Sequence, residues 1–405
     1  LDVEGHWVLP EDIAGDQTAV YSPEGLGRVI GSGDIAGDVV SNGDVNLVQV
    51  IGGDLGGGLY AGGDLGVLRV IGGDVGGTID VDGYMRVGIA IARRGQGVSI
   101  NGNVDVEGNL NLLKAIGGDI GAVEVGGDAR LMQAIGGDLG GLIDVGGNIA
   151  IAQAIGRGGE GGAISGGVDV EGNLKVLKAS GEGVSADVNV GGDLNVMAVV
   201  GGGIEDGVEV TAGDVSGDGD IRVLRVVSGD IEGNIDAEGQ LGTVLSVNRG
   251  TIGGNVSGDL EAGRGLRAAI VRRDLTGDLN VTGDLSTVSV SGDISGSTIT
   301  VTEGGARVLR AGGKIENSLV DVAQNLAVTL SSGDLDNTTL QAGTLGRVIV
   351  RGRITEDGSD GVQDDIWAQD GRFFARDRTG GGWVDEDEDH WFDGDEPDGV
   401  RAWCG

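Results

Sequence analysis

The chain holds one cysteine, three prolines and two histidines in 405 residues. A single thiol, Cys404, excludes an internal disulfide, so the fold must stand on packing and hydrogen bonds. A free thiol and a disulfide between two copies both stay open. Three prolines beside 87 glycines exclude collagen, which needs abundant proline and glycine at every third position. Aromatics make up 3 % of the chain, too few for a conventional large core, although 39 % of residues are apolar. Those are mostly Val, Ile, Leu and Ala, small side chains that suit slender interiors built from strands. No apolar run approaches the roughly eighteen residues of a membrane span. The chain opens on Leu1 rather than Met. The expectation drawn from that is a processed or partial chain, extracellular or at a cell surface.

Positive charge is also scarce. The formal net charge is −37, with 27 basic against 64 acidic residues, and only Lys114, Lys175, Lys178 and Lys314 are lysines. Phosphate binding needs clustered cations, so nucleic acid and anionic membranes are excluded as expected partners. Such a surface favours solubility, cation binding and mutual repulsion.

What the chain has is repetition. In GGDLGGGLYAGGDLGVLRVIGGDVGG, Gly52 to Gly77, the triplet Gly-Gly-Asp recurs every ten residues. Val50–Arg69 (VIGGDLGGGLYAGGDLGVLR) aligns with Ala134–Gln153 (AIGGDLGGLIDVGGNIAIAQ), Ile270–Ser289 and Ser331–Val350. Each coil carries three apolar segments of period two, with no sustained period of 3.6. Three strands separated by glycine-rich bends predict an all-β, three-faced parallel β-helix of about fifteen coils of about twenty residues. Stacked at about 4.8 Å per coil, it would be roughly 70 Å long. The expected organisation is an opening coil over 1–28, repeats over 29–350, and an acidic, aromatic-rich C-terminal segment over 351–405. Three coils are longer: Ile91–Lys114 (ARRGQG), Ala154–Lys178 (RGGEGG) and Val199–Arg225 (GIEDG). Their insertions are expected between the first and second strands.

Alignment of the coils places an acidic or amide residue at two corners. The first carries Asp34, Asp54, Asp74, Asp119, Asp138, Asp230, Asp293 and Asp334, with Lys314 in the same place. The second carries Asp44, Asp64, Asp128, Asp193, Asp220 and Asp284, with Asn109, Asn148, Asn173 and Asn325 elsewhere. Free exchange of Asp with Asn points to hydrogen bonding with backbone N–H groups in a tight bend, with glycine supplying positive φ. Calcium threaded along the ladder is the alternative. The calcium β-roll repeat, G-G-x-G-x-D-x-U-x, does not match, because Asp follows Gly-Gly directly and the period differs. The phosphate loop fails because Ile315 follows Gly313-Lys314.

On the third strand, outward positions gather Arg69, Arg86, Lys114, Arg130, Lys175, Lys178, Arg222, Arg225, Arg267, Arg307, Arg310 and Arg347. This basic stripe either pairs with corner carboxylates or makes lateral contact with an acidic partner, another copy or an anionic polysaccharide. The ends suggest head-to-tail contact. LDVEGHWVL at the start matches VDVEGNLNL at Val104–Leu112, so the chain is expected to begin on a second strand without a cap. Seven of the eleven aromatics follow Arg353. Trp7, Trp367, Phe373, Phe374, Trp383, Trp391 and Trp403 are the candidates for end-to-end contact. In DEDEDHWFDGDE, Asp385, Asp387, Asp389, Asp393 and Glu396 occupy positions one, three, five, nine and twelve of an EF-hand loop, although His390 replaces its glycine. Calcium is therefore the one cofactor the sequence suggests, against a solvated acidic run.

The repeat resembles parallel β-solenoid proteins. It is similar to polymerising bactofilins in its glycine-spaced apolar triplets, and to secreted adhesins and autotransporter passengers in length. These resemblances imply a structural role, a filament or surface array of self-associating copies. A solitary adhesin or glycan-binding solenoid is the alternative, and a polysaccharide lyase or hydrolase the third. Carboxylate pairs for such chemistry exist at Asp80/Asp82 and Asp218/Asp220, but both histidines, His6 and His390, lie outside the repeats. No catalytic activity is expected.

Overall fold

The computed structural model describes residues 6–9, 20–93, 97–157, 161–213, 219–247, 254–352, 354–355, 366–368, 374–376 and 400–402. These residues form strands, bends and turns, with no helix among them. None is therefore part of a helix long and apolar enough to cross a membrane. Two compact units divide the chain, Leu1–Gly202 and Gly203–Gly405.

Each unit is a parallel β-solenoid. In the first, the second strands Val39–Ser41, Leu59–Ala61 and Ile79–Val81 lie side by side, with Val39 opposite Leu59 and Leu59 opposite Ile79. The third strands Val45–Ile51, Leu65–Ile71 and Met85–Ile91 stack in the same register. The first strand is reduced to one bridging residue per coil, Ile35 to Leu55 to Val75 to Ile100 to Ile120 to Leu139. In the second unit the same three-faced course runs through Val256 on the first face, Leu260–Ala262 on the second and Gly265–Val271 on the third, paired with Leu275, Leu279–Val281 and Asp284–Val290 of the next coil.

Glycine-rich bends leave the apolar residues of each coil facing inward at fixed intervals. Leu55, Leu59, Leu65, Leu68 and Val70, from a single coil, are each 1 % exposed or less. Full burial of such side chains is worth about 2 kcal/mol each, and only a stacked neighbour supplies that burial. The described core contains no aromatic side chain, in keeping with the composition.

Two features differ from the sequence-based reading. The insertions of the two longest early coils precede the first strand. Ile100 bridges Val75 and Ile120, and Ile164 bridges Leu139, so the extra residues of 92–98 and 156–162 fall between third and first strands. A third insertion falls in the same interval, between Val247 and Val256, since Ile231 bridges Val256. The reason is register: an aliphatic residue must fill the first-face column, and the residues before it are free to lengthen. In the coil carrying GIEDG, Val210 follows Ile204 by six positions against four for their partners Ile231 and Ile235, so two extra residues lie between first and second strands. Ile221 follows Ala212 by nine positions against four from Ala237 to Leu241, so the larger excess falls between second and third strands. The second difference concerns Asn325. Leu319–Ser331 and Thr339–Val350 are continuous strands that merge the second and third faces, with a register irregularity between Val322 and Asn325. Asn325 is thus mid-strand opposite Thr344. It follows Ala323 and Gln324 where other coils have glycine, and the backbone there stays extended.

At the ends, His6–Leu9 pairs in parallel with Leu26–Gly31, Trp7 opposite Val29, and so joins the third face. Ile366–Ala368 continues the second face from Leu340 and Phe374–Arg376 the third from Arg347, while Val400–Ala402 lies antiparallel on Ile366–Ala368.

Candidate functional surface

The Gly-Gly-Asp corners are built from three separate requirements. The first glycine takes a left-handed backbone: Gly52, Gly72 and Gly136 have φ of 80°, 81° and 75°. The second sits against the coil before it. A Cβ on Gly73 would overlap the Gly53 carbonyl and the Asp54 carboxylate. The aspartate then joins coils, because its Oδ1 accepts the backbone N–H of its counterpart one coil on. Asp34 accepts from Asp54 at 2.8 Å, Asp54 from Asp74 at 2.7 Å, and Asp119 from Asp138 at 2.8 Å. A less obvious member is Ser99, whose Oγ accepts from Asp119 at 3.0 Å, while its own N–H donates to Asp74. Ala163 donates to Asp138 and offers no side-chain acceptor in return.

The second corner repeats this arrangement. Asp44 accepts from Asp64 at 2.9 Å, Asp64 from Tyr84 at 2.8 Å and Asp128 from Asn148 at 2.8 Å. The Asn148 side-chain amide also donates to Asp128, and these two bonds hold the Asp128 carboxyl below the usual carboxylate range. Asn148 accepts in turn from Asn173, and Asn173 from Asp193. Because an amide oxygen accepts as a carboxylate oxygen does, Asp and Asn interchange. A further ladder, between first and second strands, was not read from the sequence: Asp38 accepts from Gly58, Asn234 from Asp259, Asp259 from Asp278, and Asp278 from Thr298. Its signal was the Gly-Asp after the first strand in IAGDVV, VSGDLE and LTGDLN. At the first corner of the second unit, the Lys314 N–H donates to Asp293, and its ammonium pairs with Glu316. That bond holds the ammonium above, and the Glu316 carboxyl below, their ordinary ranges.

The outward faces of the first unit are sharply unlike. On the second face each coil presents one side chain, and in five successive coils it is Asp80, Asp105, Glu124, Asp144 and Asp169. This carboxylate column was missed because the corners absorbed the acidic residues in the sequence reading; its signal is the middle residue of I-D-V, V-D-V and V-E-V. Burial first, then repulsion from Asp105 and Asp82, holds the Asp80 carboxyl above the usual range. Beside the column lies a shallow depression of about 200 Å³, lined in part by Asn103, Asp105, Glu124, Asp144 and Leu142. Leu142 is 52 % exposed.

The third face of this unit carries no carboxylate at any outward position of its described strands. Arg69, Lys114 and Lys178 share a column with Gln49, Gln133 and Gln153. Arg86, Arg130 and Lys175 stand three residues nearer the start of their strands. Between the two runs a column of half-buried aliphatics, Leu47, Val67 and Val87, continues through Leu112, Leu131 and Ile151. Among the described residues, Arg69, Lys114, Lys175 and Lys178 form no ion pair, so neutralisation by neighbouring corners is not what the structure shows for them. Arg130 donates to Asn111 Oδ1 at 3.1 Å. In the second unit Arg225 and Arg310 stand at the position within their strands that Arg69 has in its own, and Arg222 and Arg307 at that of Arg86.

Trp7, Trp367 and Phe374 lie in the terminal strands described above. Phe373, Trp383, Trp391, Trp403 and the acidic loop of Asp385, Asp387, Asp389, Asp393 and Glu396 lie outside the described residues. Among the described residues no three His, Cys, Asp or Glu side chains converge to hold a metal ion. Asp80 and Asp82 sit on and beside the acidic column, Asp220 accepts from the Gln240 N–H, and Asp218 is outside the described residues. No protein-family model, no curated protein and no solved structure matches the chain.

Proposed function

We propose that this chain is an extracellular structural protein whose solenoids join end to end into a filament or surface array. One observation carries the reading: within a unit, successive coils are polar along the axis in the same sense. At each corner ladder a coil offers backbone N–H groups to the coil before it and carboxylate or amide oxygens to the coil after it. Strand edges carry the same donor and acceptor rows, the arrangement through which sheets extend onto other chains. A coil with one pattern on its leading side and the complement on its trailing side can be continued by a coil of another copy. The decoration also repeats from coil to coil, which suits a distributed mechanical or scaffolding role.

Negative-stain images and sedimentation of the full chain, with and without calcium, test this. Filaments are the expected result, and single particles at every concentration would refute it. A second reading, a solitary glycan-binding solenoid, is favoured by the third face of the first unit, carboxylate-free at the outward positions of its described strands, whose cations and amides would suit an anionic polysaccharide. It predicts discrete particles that bind such a polymer.

A further inference from the structure

We infer that a second copy of this chain docks sideways, the acidic second face of one first unit lying against the basic third face of another. This lateral contact rests on the self-association proposed above and is distinct from the end-to-end contact.

The two faces share a spacing. Asp80, Asp105, Glu124, Asp144 and Asp169 are adjacent partners in one parallel ladder, and so repeat once per coil, about 4.8 Å apart. Arg69, Lys114 and Lys178, with Arg86, Arg130 and Lys175, decorate the third strands of the same stack. Both patterns are printed on one helix and share its rise, so when two copies lie alongside, a match at one coil carries to its neighbours. Among the third strands from Leu65 to Ser180 only Ile149–Ile155 offers no cation, with Gln153 in its place. An unrelated partner has no reason to carry this period.

Charge points the same way. Neighbouring carboxylates at such spacing repel by about 1 kcal/mol per pair even in water. Nothing basic stands at an outward position among them to relieve it. Nothing acidic relieves the third face, where Arg69, Lys114, Lys175 and Lys178 are without any ion pair among the described residues. Each face therefore lacks what the other holds. Shape adds to this: Leu142 stands exposed beside the acidic column, and the third face offers the half-buried aliphatic column of Leu112, Leu131 and Ile151. The contact is heterologous, so each copy keeps one face free and the association is open-ended.

The test is a charge swap in the full chain. One variant carries Asp105→Lys, Glu124→Lys and Asp144→Lys; the other carries Lys114→Glu, Arg130→Glu and Lys178→Glu. All six side chains point outward, and circular dichroism verifies the strand content of each variant. Wild type is expected to bundle sideways at low ionic strength and to separate laterally near 1 M salt, where the screening length falls to about 3 Å. Each variant alone should lose lateral association at least about tenfold, and a one-to-one mixture should regain it, because the reversed faces complement each other. Filaments that thicken equally in wild type and both variants would overturn the lateral contact while leaving end-to-end joining intact. Loss of filaments altogether in wild type would instead overturn the proposed function. Loss of polygalacturonate binding in the Lys114→Glu, Arg130→Glu, Lys178→Glu variant alone, with wild type never bundling, would assign the third face to a polysaccharide and overturn the inference.

Discussion

The coils from Asp34 to Asp193 and the chain from Ala306 to Val350 enclose the same kind of interior with different corners. In the former, glycine and aspartate turn the chain, and each carboxylate or amide reaches the next coil's backbone. In the latter, the bend between first and second faces is made by Asn317 and Asn337, with φ of 49° and 46°, and Asn337 donates its amide to Asn317 at 2.8 Å. The bend between second and third faces is gone, replaced by the continuous strands Leu319–Ser331 and Thr339–Val350. Yet Leu309, Val320, Leu326, Leu335 and Leu340 are as fully buried as their earlier counterparts. The difference teaches that the aliphatic columns set the path of the chain, while corners are interchangeable fittings that need only satisfy sterics and backbone donors.

That comparison can be broken most forcefully at the glycines. Gly73→Ala should lower the urea midpoint by the equivalent of about 3 kcal/mol, because its Cβ meets the backbone of the preceding coil. Gly296→Asn, at a corner with open space and φ of 66°, should change the midpoint far less, since Asn tolerates the left-handed backbone and already fills this corner in the two following coils. Equal costs would show the corners to be alike after all.

The cores can be compared next. Thr329 Oγ1 and Ser246 Oγ are buried without hydrogen-bond partners, at column positions where the first unit has aliphatics. Thr329→Val should raise stability by about 1–2 kcal/mol, read from thermal unfolding, by removing an unsatisfied hydroxyl at constant volume. A loss would mean the hydroxyl has a partner in solution.

Asp128 isolates the ladder bond. Asp128→Ala leaves the Asn148 N–H without its acceptor and should cost up to about 1 kcal/mol, exposure keeping the figure low, whereas Asp128→Asn should cost less. The Asp128 carboxyl titrates below the ordinary range, so its contribution is present above the unfolded pKa and is lost as pH falls through the folded value. The gap between wild type and Asp128→Ala should therefore close in acid.

The smallest effect separates the outward faces. Asp80 and Asp236 titrate above the ordinary range, burial being the first cause and neighbouring carboxylates the second. A raised pKa favours the folded state below the unfolded pKa, and that advantage is lost as pH rises through the folded value. Asp80→Asn and Asp236→Asn should stabilise by a fraction of about 1 kcal/mol at neutral pH, solvent screening keeping the gain small, and by nothing in acid. A gain that persists in acid would assign it to packing.

The fold was legible because one coil repeats its neighbour: inward positions, bends and strand periodicity are local, and stacking multiplies a local signal. The corner ladder was legible for the same reason, from the exchange of aspartate with asparagine at one corner position, as in Asp128 and Asn148. Ser99 was not, since an isolated serine in ARRGQGVSI carries no corner signature until Ile100 is seen bridging Val75. The carboxylate column was hidden too. Asp80 and Asp105 are 25 residues apart in sequence and become neighbours only when an insertion is looped out at the correct corner.

By itself the sequence determined that this chain is a stack of about twenty-residue coils around an aliphatic interior, because period-two apolar triplets and glycine bends are properties of one coil. Only the tertiary structure decided which corner each insertion leaves, where two faces fuse into one strand, and that one outward face collects carboxylates while another excludes them. Those outcomes depend on register between coils, and register is chosen by the fit of whole aliphatic columns rather than by any single stretch of chain.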